Sequence, residues 1–145
     1  MHIQLRLAPD GQAMIGSNDA GDELRIALPE IAGGSDAGGL RAMQLMIFSL
    51  GACSAVDVLS ILKKQRQQVR DLHIEIEAHR FKKPLPNPWE TAHLVFTVFG
   101  QVDQKKAEKA VSMSIDKYCS ASETLRLAGA TITWEARVVE MAAGG

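Results

Sequence analysis

The sequence predicts an α+β protein in which antiparallel strands accompany one long, buried central helix. Three observations predict it. Segments of strict polar–apolar alternation open the chain, a long proline-free apolar run occupies its middle, and further alternating segments with shorter helical patterns close it. Strands grouped apart from helices mark this class, whereas a regular strand–helix alternation marks a parallel sheet.

Residues 2–7 alternate with the period of a half-buried strand. Asp10-Gly11 signals a turn, and residues 12–17 are its hairpin partner. After the turn Asn18-Asp19-Ala20-Gly21, residues 23–28 alternate again, so the first third reads as an antiparallel meander. Residues 29–39, rich in Gly, Ala and Ser, form a loop. Residues 41–68 contain no proline and carry apolar side chains on nearly every face through Leu62, followed by a basic end that suits the helix dipole. A helix apolar all round is buried all round. A chain this small cannot bury one alone, which predicts a homodimer.

Residues 72–79 alternate cleanly as a strand, and the prolines of residues 84–88 require a loop. Residues 91–100, β-branched and aromatic, form the next strand. Asp103 is placed to cap a helix running to Tyr118. Ser120-Ala121-Ser122-Glu123 has the form of a capping box, opening a short helix that stops at Gly129. Residues 130–141 are a last strand and 142–145 a frayed tail. With no repeat or linker, the chain reads as one domain, 1–145: strands and loop in 1–40, central helix in 41–68, strands and shorter helices in 69–145.

The formal net charge is −1 and the basic residues are scattered, so nothing suggests a nucleic-acid surface, which needs clustered cations. No secretory signal is visible at the start. Residues 40–62 match the roughly 20 residues that cross a bilayer, but Gln44, Ser49, Ser54, Asp57 and Ser60 interrupt them. Asp57 near the middle would be costly in lipid. The expectation is a cytoplasmic protein with no membrane partner, in a reducing compartment where a permanent structural disulfide is not expected.

Two residues could carry chemistry. Cys53 lies in Gly51-Ala52-Cys53-Ser54-Ala55-Val56-Asp57, and Cys119 in Lys117-Tyr118-Cys119-Ser120. No CxxC is present and no histidine sits at ligand spacing, so no metal site is expected. Most free cysteines are small buried hydrophobes. Against that, Cys119 falls at a helix start, where orphan N–H groups lower a thiol pKa, and Cys53 is flanked by small residues that leave room for a substrate. Asp57 shares the Cys53 helix face and would raise its pKa unless a cation compensates. At this point both readings stay open. His73 and His79 share a strand face with Glu75 and Glu77, a solvated arrangement; His93 reads as a structural histidine, and Trp89 and Trp134 as packing residues.

The run from Leu50-Gly51-Ala52-Cys53 through Asp57-Val58-Leu59-Ser60-Ile61-Leu62-Lys63-Lys64 resembles the central helix of OsmC/Ohr proteins. Ser114-Ile115-Asp116-Lys117-Tyr118-Cys119-Ser120 is similar to the segment carrying that family's second cysteine, and Phe96-Thr97-Val98-Phe99-Gly100 to the strand before its second helix. The resemblance implies an intertwined homodimer with the long helices in a shared core. It also implies thiol-dependent reduction of organic hydroperoxides. Cys53 would be the peroxidatic residue, oxidised to a sulfenic acid, and Cys119 the resolving residue. An external dithiol would be the reductant, and no metal, flavin or nucleotide would be bound.

Well-characterised members add an arginine from the N-terminal hairpin and a glutamate upstream of the first cysteine. Here the hairpin turn lacks arginine, Gln44 stands near the glutamate position, and Arg41 and Arg80 are candidate substitutes. Together with Asp57 they complete the expected supporting set. The alternative from another class keeps the fold and uses the pocket, without turnover, to hold a small apolar ligand or to sense oxidants.

Overall fold

The computed structural model describes residues 1–35 and 38–142 and divides into two compact units, residues 1–46 and 47–145. The predicted tail at 142–145 lies, except for Ala142, outside the described residues, as do residues 36–37 of the predicted loop.

The first unit is the predicted meander: β1 (Ile3–Leu7), β2 (Ala13–Asn18) and β3 (Glu23–Ala27), all antiparallel. Its turns form for local reasons. Asp10 Oδ1 accepts from the Gln12 amide at 3.0 Å, and Gly11 takes φ +71°. Asn18 Oδ1 accepts from Ala20 and Asp22 at 2.9 and 3.0 Å. Such side-chain acceptors close turns that the backbone alone leaves unsatisfied. The expected loop holds one short 3₁₀ turn, Glu30–Ala32.

Helix α1 (Ala42–Lys64) begins in the first unit and continues into the second. At its start the Gln44 side chain accepts from the Arg41 amide at 2.9 Å, one half of a capping box. It stops short of the expected residue 68. The Arg66 amide donates to Lys63 and the Gln67 amide to Leu62, with Arg66 at φ 57°. This is a Schellman cap. With arginine rather than glycine in the left-handed position, nothing in the composition announced it. Only one stripe of α1 is buried within the chain: Leu50, Gly51, Ser54, Val58 and Leu62. By length and composition alone the helix could cross a membrane, but that stripe is part of the second unit's core.

In the second unit β4 (Gln68–Arg80) pairs antiparallel with β5 (Trp89–Gln101), and β5 pairs parallel with β6 (Thr131–Glu140). Three of the four strand pairs are thus antiparallel, as expected for the sheets at large. The parallel pair follows from the connection: α2 (Gln104–Met113), a π turn (Ser114–Tyr118) and α3 (Ser120–Leu127) carry the chain back before β6 begins. Asp103 caps α2 as predicted, accepting from the Lys106 amide at 3.0 Å. Gly100 sits at φ +139° where a Cβ would run into the Gln68 carbonyl oxygen, so only glycine fits beside the β4 bulge. Ala92, Leu94, Phe96 and Val98 of β5 meet Leu50, Val58 and Leu62 of α1 and Ala107, Ala110 and Val111 of α2 in one core.

Candidate functional site

Cys53 lies in the middle of α1 and is half-buried. The small residues around it let the helix pack closely. A Cβ on Gly51 would lie 3.1 Å from Ile76 Cδ1 on β4, and the buried Ser54 hydroxyl donates to the Gly51 carbonyl at 2.9 Å.

Cys119 ends the π turn, where its amide donates to the Ser114 carbonyl at 2.8 Å. Turns of this kind are uncommon and recur at functional sites. The turn is fastened to α1 beside Cys53. The buried Ser114 hydroxyl lies within bonding distance of the Ser54 carbonyl (3.1 Å) and of Asp57 Oδ2 (3.2 Å). Cys119 itself is 3% exposed. It is the N-cap of α3, its Sγ accepting from the Ser122 amide at 3.4 Å. The capping box expected at Ser120 is therefore displaced by one residue, and a thiol does the capping. Cys53 lies near enough to Cys119 to raise its thiol pKa. Both cysteines are free.

Burial pushes the Cys119 thiol up to about 11, outweighing the opposing Ser122 N–H; the Cys53 thiol adds to the rise. The helix start was expected to lower this pKa. The correction is one of magnitude: the weak pull of the Ser122 and Ala121 N–H groups does not offset the loss of hydration around a thiolate. Cys119 is consequently protonated at neutral pH. Its alkylation by iodoacetamide, followed peptide by peptide, should rise about tenfold per pH unit and continue rising past the ordinary 9.0. The same shift has a stability consequence. The folded value lies above the unfolded one, so the contribution is intact below pH 9 and is lost as pH climbs towards 11. A labelling plateau starting at pH 9 would contradict the burial argument.

A cavity of about 200 Å³ is lined by Cys119, Tyr118, Glu123 and Arg126, among others. Arg126 Nη1 donates to the Ile115 carbonyl at 2.7 Å and Nη2 to Asp116 Oδ1 at 3.0 Å. The sequence reading missed Arg126 and Ser114. For Arg126 a signal existed: Cys119, Ser122 and Arg126 recur at the spacing of one helical face. Ser114 left none, because its role depends on the π turn.

The remaining expected residues divide. Asp57 joins the cysteine segments through Ser114. Arg80 does not: its guanidinium donates to the Asn87 carbonyl and side chain at 2.7 and 2.8 Å and lies 5.9 Å from the Trp89 ring. It ties the two ends of the β4–β5 connection together. Arg41 and Gln44 belong to the first unit, where Arg41 Nη2 donates to the Ser35 carbonyl at 2.9 Å and Gln44 caps α1. His93 bonds Thr133 and Glu135 at 2.7 and 3.0 Å, the structural arrangement expected of it. His73 and His79 pair with neighbouring acids on the exposed face.

Similarity to known proteins agrees with this geometry. Protein YhfA of Escherichia coli K12 is 38% identical over 88 residues, 59% of this chain; the match spans 64% of the length of YhfA. A hypothetical protein from Aquifex aeolicus VF5 has a solved structure 31% identical to the chain, covering 96% of it and 97% of the other, with a TM-score of 0.77. The organic hydroperoxide resistance protein OhrB of Bacillus subtilis, at 20% identity, shares the fold with a TM-score of 0.61 over 95% of this chain and 96% of its own. Residues 33–135 match the family described as OsmC-like protein. The fold, the two cysteine segments and this match agree: the chain belongs to the OsmC-like protein family.

Proposed function

We propose that this protein reduces organic hydroperoxides with an external dithiol, as a cytoplasmic homodimer, with Cys53 as peroxidatic and Cys119 as resolving cysteine. The observation that carries the reading is that Ser114 ties the Cys119 turn to α1 at Ser54 and Asp57, beside Cys53. Two segments far apart in sequence thereby come near enough for Cys53 to shift the Cys119 thiol. Structural likeness to OhrB, a hydroperoxide resistance protein, supports it.

In the first step the Cys53 thiolate attacks one oxygen of the O–O bond. The bond breaks, an alkoxide leaves and takes a proton to become the alcohol, and Cys53 becomes a sulfenic acid. Cys119 then attacks the oxidised sulfur. The S–O bond breaks, the departing hydroxide takes the proton that Cys119 has held, and water and a disulfide result. A dithiol reduces that disulfide by two exchange steps and is itself oxidised to a disulfide. No bound metal, flavin or nucleotide enters the scheme. The burial of Cys119 keeps it from wasteful reaction with solvent oxidants, while its nearness to Cys53 lets resolution proceed.

The dimer accounts for the outer face of α1. Phe48, Val56 and Leu59 on it are exposed in the single chain, Val56 by 68%. Soluble proteins rarely leave large contiguous apolar surfaces in water.

The test is peroxide consumption with excess dithiol, comparing cumene hydroperoxide with hydrogen peroxide. The expected result is faster consumption of the organic peroxide; consumption of neither would sink the reading.

A further inference from the structure

A second cavity, of about 540 Å³, lies between the C-terminal half of α1 and α2, with Tyr118 at its edge. The α1 residues that line it include Asp57, Ile61 and Lys64. These fall four, eight and eleven residues after Cys53, on the helical stripe that carries the thiol. Across the cleft stand Lys109 and Met113 of α2, themselves one turn apart. Tyr118 also lines the cavity that holds Cys119, so one aromatic side chain borders both.

The charge in the cleft is ordered along its length. Asp57, at the end nearer Cys53, is engaged by Ser114. Lys64 lies about 10 Å further along the helix axis, and Lys109 faces the same space. Among the described residues neither lysine forms an ion pair. Gln65, in the same lining, has an enclosed Oε1 with no hydrogen-bond partner among the described residues. A half-turn of its amide would place an N–H there instead. Between the two ends lie the apolar surfaces of Ile61 and Met113.

We infer that this cleft binds an amphipathic organic acid, its carboxylate between Lys64 and Lys109 and its apolar body along Ile61 and Met113 towards Cys53. Asp57 sets the direction, since it repels the acid group from the thiol end. From Lys64 to Cys53 is about 16 Å along the helix axis, the span of a medium-to-long acyl chain. This inference stands apart from the peroxidase reading: a ligand site here needs no turnover at Cys53.

Decanoate is the probe, titrated calorimetrically into the intact protein, with the neutral alcohol 1-decanol as comparison. Wild type should bind decanoate saturably, one molecule per chain. The double variant Lys64→Gln/Lys109→Gln should bind it about tenfold more weakly and bind 1-decanol as wild type does. Acetylation of lysines read by mass spectrometry gives a second measure that does not depend on any variant folding. Decanoate should protect Lys64 and Lys109 and leave Lys105 and Lys117 unprotected. Absence of saturable binding, equal affinity in the double variant, or protection elsewhere would overturn the inference. Cumene hydroperoxide carries no acid group, so its consumption by wild type decides the peroxidase reading separately from any of these results.

Discussion

Replacing Cys53 with serine is expected to bring dithiol-dependent consumption of cumene hydroperoxide down to the background rate. The loss should be about a thousandfold, equivalent to about 4 kcal/mol in activation free energy. A serine hydroxyl is far less acidic than a thiol and cannot form the sulfenic acid through which the reaction passes. Cys119 cannot take over, because it is 3% exposed and its thiol is held protonated by burial. Serine is close to cysteine in size and the position is only half-buried, so the fold should survive, as circular dichroism would show. Retention of more than about a tenth of the rate would move the nucleophile elsewhere.

The second large effect concerns assembly. Val56 lies three residues beyond Cys53 on the exposed face of α1. If a second chain covers that face, Val56→Asp buries an unpaired carboxylate, at about 3–5 kcal/mol for each copy. A two-fold interface contains the position twice, so the dimer should be lost entirely. Light scattering during gel filtration should give twice the chain mass for wild type and a single chain mass for the variant. Val56→Thr, which adds no charge, should remain dimeric. Wild type running as a single chain would refute the assembly.

Much of this was legible in the sequence, for identifiable reasons. Period-two alternation in residues 72–79 marked a strand because one face is wet and the other packs inward. The same period marked β1, although Ile3, Leu5 and Leu7 stay exposed in the single chain rather than half-buried as expected. Asp103 announced α2 because its carboxylate reaches the Lys106 amide. The end of α1 was not legible, since Arg66 adopts a left-handed conformation that arginine rarely takes. Nor was the π turn: it closes with the Cys119 amide bonded to the Ser114 carbonyl, and residues 114–118 carry no composition that marks it. That turn shifted the α3 cap from Ser120 to Cys119 and brought Ser114 to Asp57. At the site, the cysteines were found because thiols are chemically distinctive. The supporting arginines were harder, because arginine is common at surfaces: Arg80 ties the β4–β5 connection, while Arg126, unremarked, lines the Cys119 cavity.

The central claim is that Cys53 and Cys119 act as one redox site, and the most direct test is to oxidise the reduced protein with one equivalent of cumene hydroperoxide and map its peptides by mass spectrometry. The account predicts a Cys53–Cys119 disulfide as the main product, and a trapped Cys53 sulfenic acid in Cys119→Ser. Two thiols left free, or Cys53 joined only to another Cys53, would contradict it.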